Sequence, residues 1–127
     1  DRRLRVARNR RSAKQAGARF ERQVADYLRD NVDDRIDRRV KTGAKDRGDI
    51  GGVRAYGERV VIECKNVTRI SLAECHAEAE VARGNDDAVA ALLVHKRHGV
   101  ADPAKQWVTM TLADLAALLT GVRPEEG

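Results

Sequence analysis

Four charged side chains have the types and spacing that metal-assisted hydrolysis of a phosphodiester requires. Glu63 and Lys65 belong to a run that alternates like a β-strand, so both side chains project from one face. Asp49 begins another strand candidate 14 residues earlier, and a hairpin between the two strands would bring it near Glu63. Two carboxylates at close range repel unless a cation lies between them, and their hard oxygen atoms suit Mg²⁺ or Mn²⁺. Glu21, on a helix facing the sheet, could supply a third carboxylate.

The chemistry that such a group supports is the hydrolysis of a phosphate ester. A hard divalent cation polarises the phosphate, lowers the pKa of a bound water and neutralises the charge that develops on the oxygen atoms. Lys65, a point charge beside the cation, could hold or activate the attacking water and contact the phosphate. Asp46 competes with Asp49 for the ligand role. We prefer Asp49 because apolar residues follow it, as at the start of a strand, whereas Asp46 lies between two basic residues.

The elements that must position these residues follow from the hydrophobic periodicity. Apolar residues at helical spacing predict a helix over residues 12–30, capped by Ser12 and carrying Glu21 beside its buried stripe. The order α-β-β-β-α-β-β-α predicts an α/β fold in which helices flank a mixed β-sheet. The other predicted elements are strands over 36–41, 49–56 and 59–65, a helix over 71–83, strands over 88–96 and 106–111, and a helix over 112–120.

Turn and cap residues set the boundaries of these elements. Gly51-Gly52 predicts a bend or bulge, and Tyr56-Gly57-Glu58 predicts the hairpin loop. Capping signals bound the second helix at Ser71 and Gly84 and the last helix at Thr111 and Gly121. The last helix has a broad apolar surface, which is either core or a dimer face.

Length, composition and cysteine content place the chain in a broad class. With 127 residues, 42% hydrophobic and 35% charged, it is sized for one domain, and no run approaches the roughly 20 apolar residues of a membrane span. Two cysteines are too few for a disulfide scaffold, and no secretory signal is visible. We therefore expect a single domain over residues 12–127 in a cytoplasmic, nucleoid-associated protein, or in the host cytoplasm if the source is viral.

Basic residues concentrate in two segments. The basic arm, residues 1–11, holds six arginines and one aspartate, and its net charge of +5 equals that of the whole chain. A second cluster precedes Asp49. Both segments suit the phosphate backbone of DNA, although a solubilising tail or a solvated loop would have the same composition. Because aromatic residues are 3% of the chain, backbone contact is favoured over base stacking. The candidate DNA-binding side chains are Arg2, Arg3, Arg5, Arg8, Arg10, Arg11, Arg38, Arg39, Lys41, Lys45 and Arg47.

Other chemistry-bearing residues give weaker hypotheses. Cys64, Cys75 and His76 could suggest zinc, but Cys64 faces away from the acidic site and no second Cys-x-x-Cys follows. His95 could reach a phosphate, and Glu78 could support the site from the following helix.

The chain resembles the PD-(D/E)XK nuclease superfamily, and within it the archaeal-type Holliday junction resolvases, over about residues 14–96. This resemblance implies a restriction-endonuclease-like fold, with Thr42 in the place of a serine near the scissile phosphate and Gly48 in the place of the motif proline. The segments that carry it are Gly17-x-x-Phe20-Glu21, Arg39-x-x-Thr42-Gly43, Gly48-Asp49-Ile50 and Ile62-Glu63-Cys64-Lys65.

The resemblance also implies a site and an activity. By position, Glu21, Asp49 and Glu63 become metal-associated catalytic residues, the backbone carbonyl of Cys64 becomes a further metal ligand, and Lys65 becomes catalytic. The implied activity is Mg²⁺-dependent endonucleolytic cleavage of four-way DNA junctions by a homodimer. Two alternatives stay open: a restriction-like or repair nuclease acting on duplex, nicked or flap DNA, and a DNA-binding module with a degenerate site.

Overall fold

The computed structural model describes the backbone of residues 2–41, 43 and 45–125, and the side chains from residue 9 onward within these ranges. Thr42 therefore lies outside the described residues, as do the side chains of Arg2, Arg3, Arg5 and Arg8. The elements are α1 (Arg2–Asn31), β1 (Asp37–Arg38), β2 (Ile50–Gly51), β3 (Arg54–Ala55), β4 (Glu58–Lys65), α2 (Leu72–Asn85), β5 (Ala90–His95), a 3₁₀ turn (Pro103–Lys105), β6 (Trp107–Thr109) and α3 (Leu112–Thr120).

A mixed six-stranded sheet forms the centre of the fold, and the predicted α/β class with flanking helices is confirmed. Its main path runs β1-β2-β4-β5-β6, and β3 pairs with the beginning of β4. Only the pair β4–β5 is parallel among the described strands, because α2 carries the chain back between them. Of the described helices, none is long and apolar enough to cross a membrane.

Strand β4 separates two apolar layers. Ile62 and Cys64 pack with Phe20 of α1, whereas Val61 packs with Ala82 of α2. Because side chains alternate along a strand, Glu63 shares the face of Val61 and projects toward the α2 side of the sheet.

Helix α3 closes the sheet where β6 ends. Strand β6 pairs only with residues 93–95 of β5, so the Ala91 N–H donates instead to the buried carboxylate of Asp114, 3.1 Å away. Thr111 and Asp114 form a capping box, and Gly121 ends the helix at φ +77°, as the sequence predicts. The apolar surface is divided: Ala117 is core, whereas the opposite face is exposed.

Two predicted helix boundaries are wrong, the start of α1 and the end of α2, and one predicted capping bond is absent. Helix α1 begins at Arg2 rather than at Ser12, because the preceding arginine-rich segment contains no glycine or proline to interrupt it. Ser71 precedes α2 but makes no side-chain capping bond, and Gly84 lies inside the helix, which ends at Asn85.

The strand predicted over residues 49–56 is two short strands, and the one predicted over 36–41 is reduced to two residues. Gly52 is the bend between β2 and β3. Its φ is +83°, and a Cβ there would lie 2.5 Å from the Arg35 carbonyl oxygen. Tyr56 and Gly57, both at positive φ, form the hairpin turn, and Glu58 already belongs to β4.

Candidate active site

The sheet brings Asp49 and Glu63 together as an acidic pair. The Asp49 N–H donates to the Ile62 carbonyl at 2.8 Å and Ile50 is in register with Ile62, so Asp49 lies against β4, where its carboxylate neighbours that of Glu63. The Cys64 N–H donates to Asp49 Oδ2 at 2.8 Å, which fixes that carboxylate. Exposure is only 4% for Asp49 and 5% for Glu63.

Gly48 sets the backbone conformation that leads into Asp49. Its φ is +95°, and a Cβ there would lie 2.9 Å from Val61 Cγ1 and 3.0 Å from the Ile62 carbonyl oxygen. Proline, whose φ is fixed near −65°, cannot adopt this conformation. Glycine therefore lets the chain turn tightly against β4 before Asp49 enters the sheet.

Glu63 is a buried carboxylate with an unsatisfied oxygen. Its Oε1 has no hydrogen-bond partner among the described residues. Burial, and then the neighbouring carboxylates of Asp49 and Asp46, raise the pKa of Glu63 to about 9. An orphaned oxygen beside other carboxylates is a donor set that a hard divalent cation would satisfy, so these residues fit Mg²⁺ or Mn²⁺. Asp46 is exposed, whereas Asp49 is buried in the sheet.

Two lysines neighbour the acidic pair in different ways. Lys41 Nζ lies 2.9 Å from Asp49 Oδ1, and this contact raises the pKa of Lys41. Lys65 Nζ lies 3.1 Å from Glu78 Oε2. Burial opposes the charge on Lys65, but the bond to Glu78 outweighs it and raises the lysine pKa. Lys65 is therefore a cation at neutral pH, so it can orient a water or a phosphate but is not a neutral base.

Glu21 is near the acidic pair but is not brought into contact with it. It lies on α1, which packs against the other face of the sheet, and its carboxylate accepts two hydrogen bonds from Arg38 at 3.2 and 2.9 Å. The carboxylate oxygens of Glu21, Asp49 and Glu63 do not all lie within 4.8 Å of one another. Among the described residues, the one three-residue group whose ligand atoms lie that close together is elsewhere in the fold and is described below. The third-ligand role of Glu21, like that of the Cys64 carbonyl, stays a prediction.

A basic cavity of about 510 Å³ opens beside the acidic pair. Lys45 and Arg47 in its lining are exposed, while Arg39 is half-buried and lies 3.5 Å from Asp86 at the end of α2. Arg38 lines a second cavity together with Glu21. The described members of the predicted basic cluster therefore lie around the acidic pair. The first cavity is lined by Arg39, Val40, Lys41, Gly43, Lys45, Asp46, Arg47 and Gly48.

The one three-donor group within 4.8 Å in the described chain is His76, Glu80 and Asp114. It could hold a metal ion, and the sequence analysis missed it, although His76 and Glu80 have the i, i+4 spacing of one helix face. A cation is already present there: Arg123 Nη1 lies 2.5 Å from Asp114 Oδ1, and His76 Nε2 lies 3.2 Å from Asp114 Oδ2. We call His76, Glu80, Asp114 and Arg123 the polar clamp, because they tie α2, α3 and the C-terminal segment together.

The remaining histidines and cysteines have structural surroundings. His95 Nε2 lies 2.7 Å from Thr109 Oγ1, and burial lowers the histidine pKa. Burial raises the pKa of the Cys64 and Cys75 thiols. Cys64, Cys75 and His76 do not form a metal-binding group in the part of the chain that the structure describes.

Comparison with family models, curated proteins and solved structures gives no match. What this site does must therefore be inferred from its own geometry and from the motifs in the sequence.

The burial of Glu63 gives a stability prediction. Without divalent ions, Glu63→Gln is expected to raise the free energy of unfolding by about 1–3 kcal/mol at pH 8, because the amide can donate to Asp49 and, unlike the carboxyl, does not have to take up a proton when the chain folds. The folded protein holds the Glu63 proton to higher pH than the unfolded chain. Wild-type stability therefore falls as pH rises from about 4.5 toward about 9, and the advantage of the variant grows.

Urea unfolding at several pH values in EDTA measures this difference. Glu78→Gln is the matched control, since Glu78 is 58% exposed and removing its pairing with Lys65 should change stability by less than about 1 kcal/mol. A Glu63→Gln protein that is less stable than wild type at pH 8 would show that the carboxylate is satisfied in the fold.

Proposed function

We propose that this protein is a metal-dependent DNA endonuclease that hydrolyses phosphodiesters in branched DNA. The observation that carries the proposal is the acidic pair: two carboxylates buried side by side on neighbouring strands, one with an orphaned oxygen, beside a cavity lined by basic residues. A fold gains no stability from such a pair by itself, because burial beside Asp49 makes the ionised form of Glu63 unfavourable. Binding a divalent cation next to a phosphate is the role that accounts for it.

The fold supports the same proposal. Helix α1, the antiparallel strands β1, β2 and β4, the crossover α2 and the parallel strand β5 follow the order expected of a restriction-endonuclease-like domain. The positions of the four motif residues are compatible with this proposal. Asp49 and Glu63 are neighbours, Lys65 is two residues along the same face, and Glu21 lies on the first helix.

Each residue of the site has a proposed role in the reaction. Asp49 and Glu63 would hold Mg²⁺, which when bound supplies the polarising charge and an activated water for phosphate hydrolysis. Lys65, kept protonated by Glu78, would orient the attacking water or a phosphate oxygen. The basic residues of the neighbouring cavity would hold the flanking phosphates and set the direction of the DNA across the site.

A cleavage panel tests the proposal. Linear duplex, nicked, flap and four-way junction DNA are incubated with the protein, with and without Mg²⁺. We expect cleavage only with the ion, and paired, symmetric incisions in the four-way junction. Cleavage of the other substrates alone would indicate a restriction-like or repair nuclease. Tight DNA binding together with no divalent-ion binding in calorimetry would indicate a degenerate binding module instead.

The basic first half of α1 provides a further prediction. Residues 9–15 are exposed, so Arg10 and Arg11 stand on a helical extension outside the core. Exchanging both for glutamine, which preserves helix propensity, is expected to reduce the slope of log affinity against log salt by up to about 2, because each lost phosphate contact removes roughly 0.9. Fluorescence anisotropy measures this slope when the salt concentration is varied from about 50 to about 300 mM.

The control for that experiment lies on the same helix. Arg29→Gln removes a cation that is already paired with Asp26 and Asp30 at the other end of α1. This variant should keep the wild-type slope. If the Arg10 and Arg11 exchange also leaves the slope unchanged, these two residues of the basic arm do not contact phosphate.

A second copy of the chain is the partner that α3 would accommodate. Its outer face carries exposed apolar side chains at spacings of three and four residues, which is the pattern of a helix–helix seam. Leu119→Arg is expected to shift sedimentation equilibrium toward the monomer. The exposed residues of this face are Leu112, Leu115 and Leu119, and Val122 is exposed just beyond the end of the helix.

A further inference from the structure

The ion pair between Lys41 and Asp49 carries an inference that rests on the proposed function. We propose that Lys41 is the built-in counterion of the acidic pair, which the arriving divalent ion displaces and which then contacts the substrate phosphate. Lys41 Nζ lies 2.9 Å from Asp49 Oδ1. The other oxygen of that carboxylate, Oδ2, is occupied by the Cys64 N–H at 2.8 Å.

The sheet explains why this lysine reaches the buried aspartate. The Arg39 N–H donates to the Asp49 carbonyl at 2.8 Å, so the chain beyond β1 runs beside Asp49. Lys41, two residues further, extends its side chain back to the carboxylate. Its side chain is 66% exposed, whereas that of Asp49 is 5% exposed. The ammonium therefore approaches from the open cavity and can leave it without unpacking the core.

The divalent ion and the Lys41 ammonium compete because both are cations and both need the same carboxylate oxygen. A divalent ion held between Asp49 and Glu63 would need Asp49 Oδ1, the atom that Lys41 contacts, and it would repel the ammonium. Lys65 does not compete in this way, because its ammonium is held by Glu78. Once displaced, Lys41 lies among Lys45 and Arg47 in the basic cavity, where a DNA phosphate would be bound. Lys41 thus becomes a positioning residue that couples the arrival of the ion to phosphate contact.

Binding of Mn²⁺ to the DNA-free protein tests this inference without any cleavage assay. The electron paramagnetic resonance signal of free Mn²⁺ gives the bound fraction during a titration at fixed pH and salt. Lys41→Met should bind Mn²⁺ about tenfold more tightly than wild type, because a competing cation at contact distance is removed. Lys41→Arg, which keeps the charge, should bind nearly as weakly as wild type.

Lys45→Met is the matched control, because it removes the same charge from the same cavity at a side chain with no ion pair among the described residues. Its Mn²⁺ affinity should rise by no more than about twofold. Thermal melts establish that each variant is folded, and Lys41→Gln, which also removes the charge, replaces Lys41→Met in the comparison if Lys41→Met does not fold.

Each outcome has one meaning. Tighter binding by Lys41→Met alone supports the inference. Equal affinities for wild type, Lys41→Met and Lys41→Arg overturn it and leave the proposed function intact. An affinity gain that Lys45→Met reproduces in full also overturns it, because the effect is then general electrostatics. If neither wild type nor Lys41→Met binds Mn²⁺, both the inference and the proposed function fail.

Discussion

Asp49→Asn is expected to lower Mg²⁺-dependent DNA cleavage by about a thousandfold or more while leaving DNA binding within a few-fold of wild type. Asp49 is the carboxylate that β2 places beside Glu63, and Cys64 fixes its orientation through a backbone hydrogen bond. The amide loses the charge that a hard cation needs, but it keeps the size of the side chain and can still accept the Cys64 N–H. Binding persists because basic side chains elsewhere provide the phosphate contacts.

Asp46→Asn is the matched control for this measurement. It removes the same charge three residues earlier, at an exposed residue whose carboxylate accepts the Gly48 N–H at 2.9 Å. Rates on labelled junction DNA and binding by anisotropy in Ca²⁺ separate catalysis from affinity. A small effect of Asp46→Asn beside a large effect of Asp49→Asn identifies the ligand. The reverse result would assign the metal to Asp46, and full activity of both variants would rule out the site.

Arg123→Met is expected to lower the free energy of unfolding by about 3 kcal/mol, the largest stability effect that we predict from a single side chain. It leaves the carboxylate of Asp114, which is fully buried, without the guanidinium at 2.5 Å. Asp114 caps α3 and accepts the Ala91 N–H. An unpaired charge on its carboxylate would therefore destabilise the start of α3, the neighbouring sheet edge and the contact with α2.

Urea unfolding at neutral pH measures this loss, and Arg22→Met is the control. Arg22 lies 2.6 Å from Asp37, but both side chains are exposed, at 42% and 62%. Removing a surface pair should cost less than about 1 kcal/mol. Equal effects of the two variants would mean that the polar clamp contributes no more than a surface ion pair.

The pH dependence of this stabilisation has a defined direction. Burial alone would raise the pKa of Asp114, but the bonds from Ala91, Arg123 and Thr111 outweigh it and lower the pKa to about 2. Since the ordinary value is 3.8, the folded state favours the ionised form. The contribution is complete above about pH 4 and is lost as pH falls toward 2, so the difference between wild type and Arg123→Met should shrink in acid.

Local signals in the sequence predicted the elements that matter most for the site. The apolar run of β4 and the Tyr56-Gly57 turn were recognisable because strand periodicity and turn chemistry act over a few residues. The pairing of Asp49 with Glu63 followed from that hairpin. The predicted start of α1 and the predicted end of α2 were wrong because Ser12 and Gly84 are cap-forming types that a continuous helix also tolerates.

The acidic pair, its place on one sheet face and the basic cluster beside it were determined by the sequence, because residue type, alternation and charge are properties of neighbouring positions. Only the tertiary structure decided which cation faces which acid. It paired Lys41 with Asp49, Lys65 with Glu78, Arg38 with Glu21 and Arg123 with Asp114. These contacts join residues 8 to 17 positions apart on different elements, and they depend on how helices cross the sheet. Local sequence patterns do not determine how the helices cross the sheet, so these ion pairs could be identified only from the three-dimensional structure.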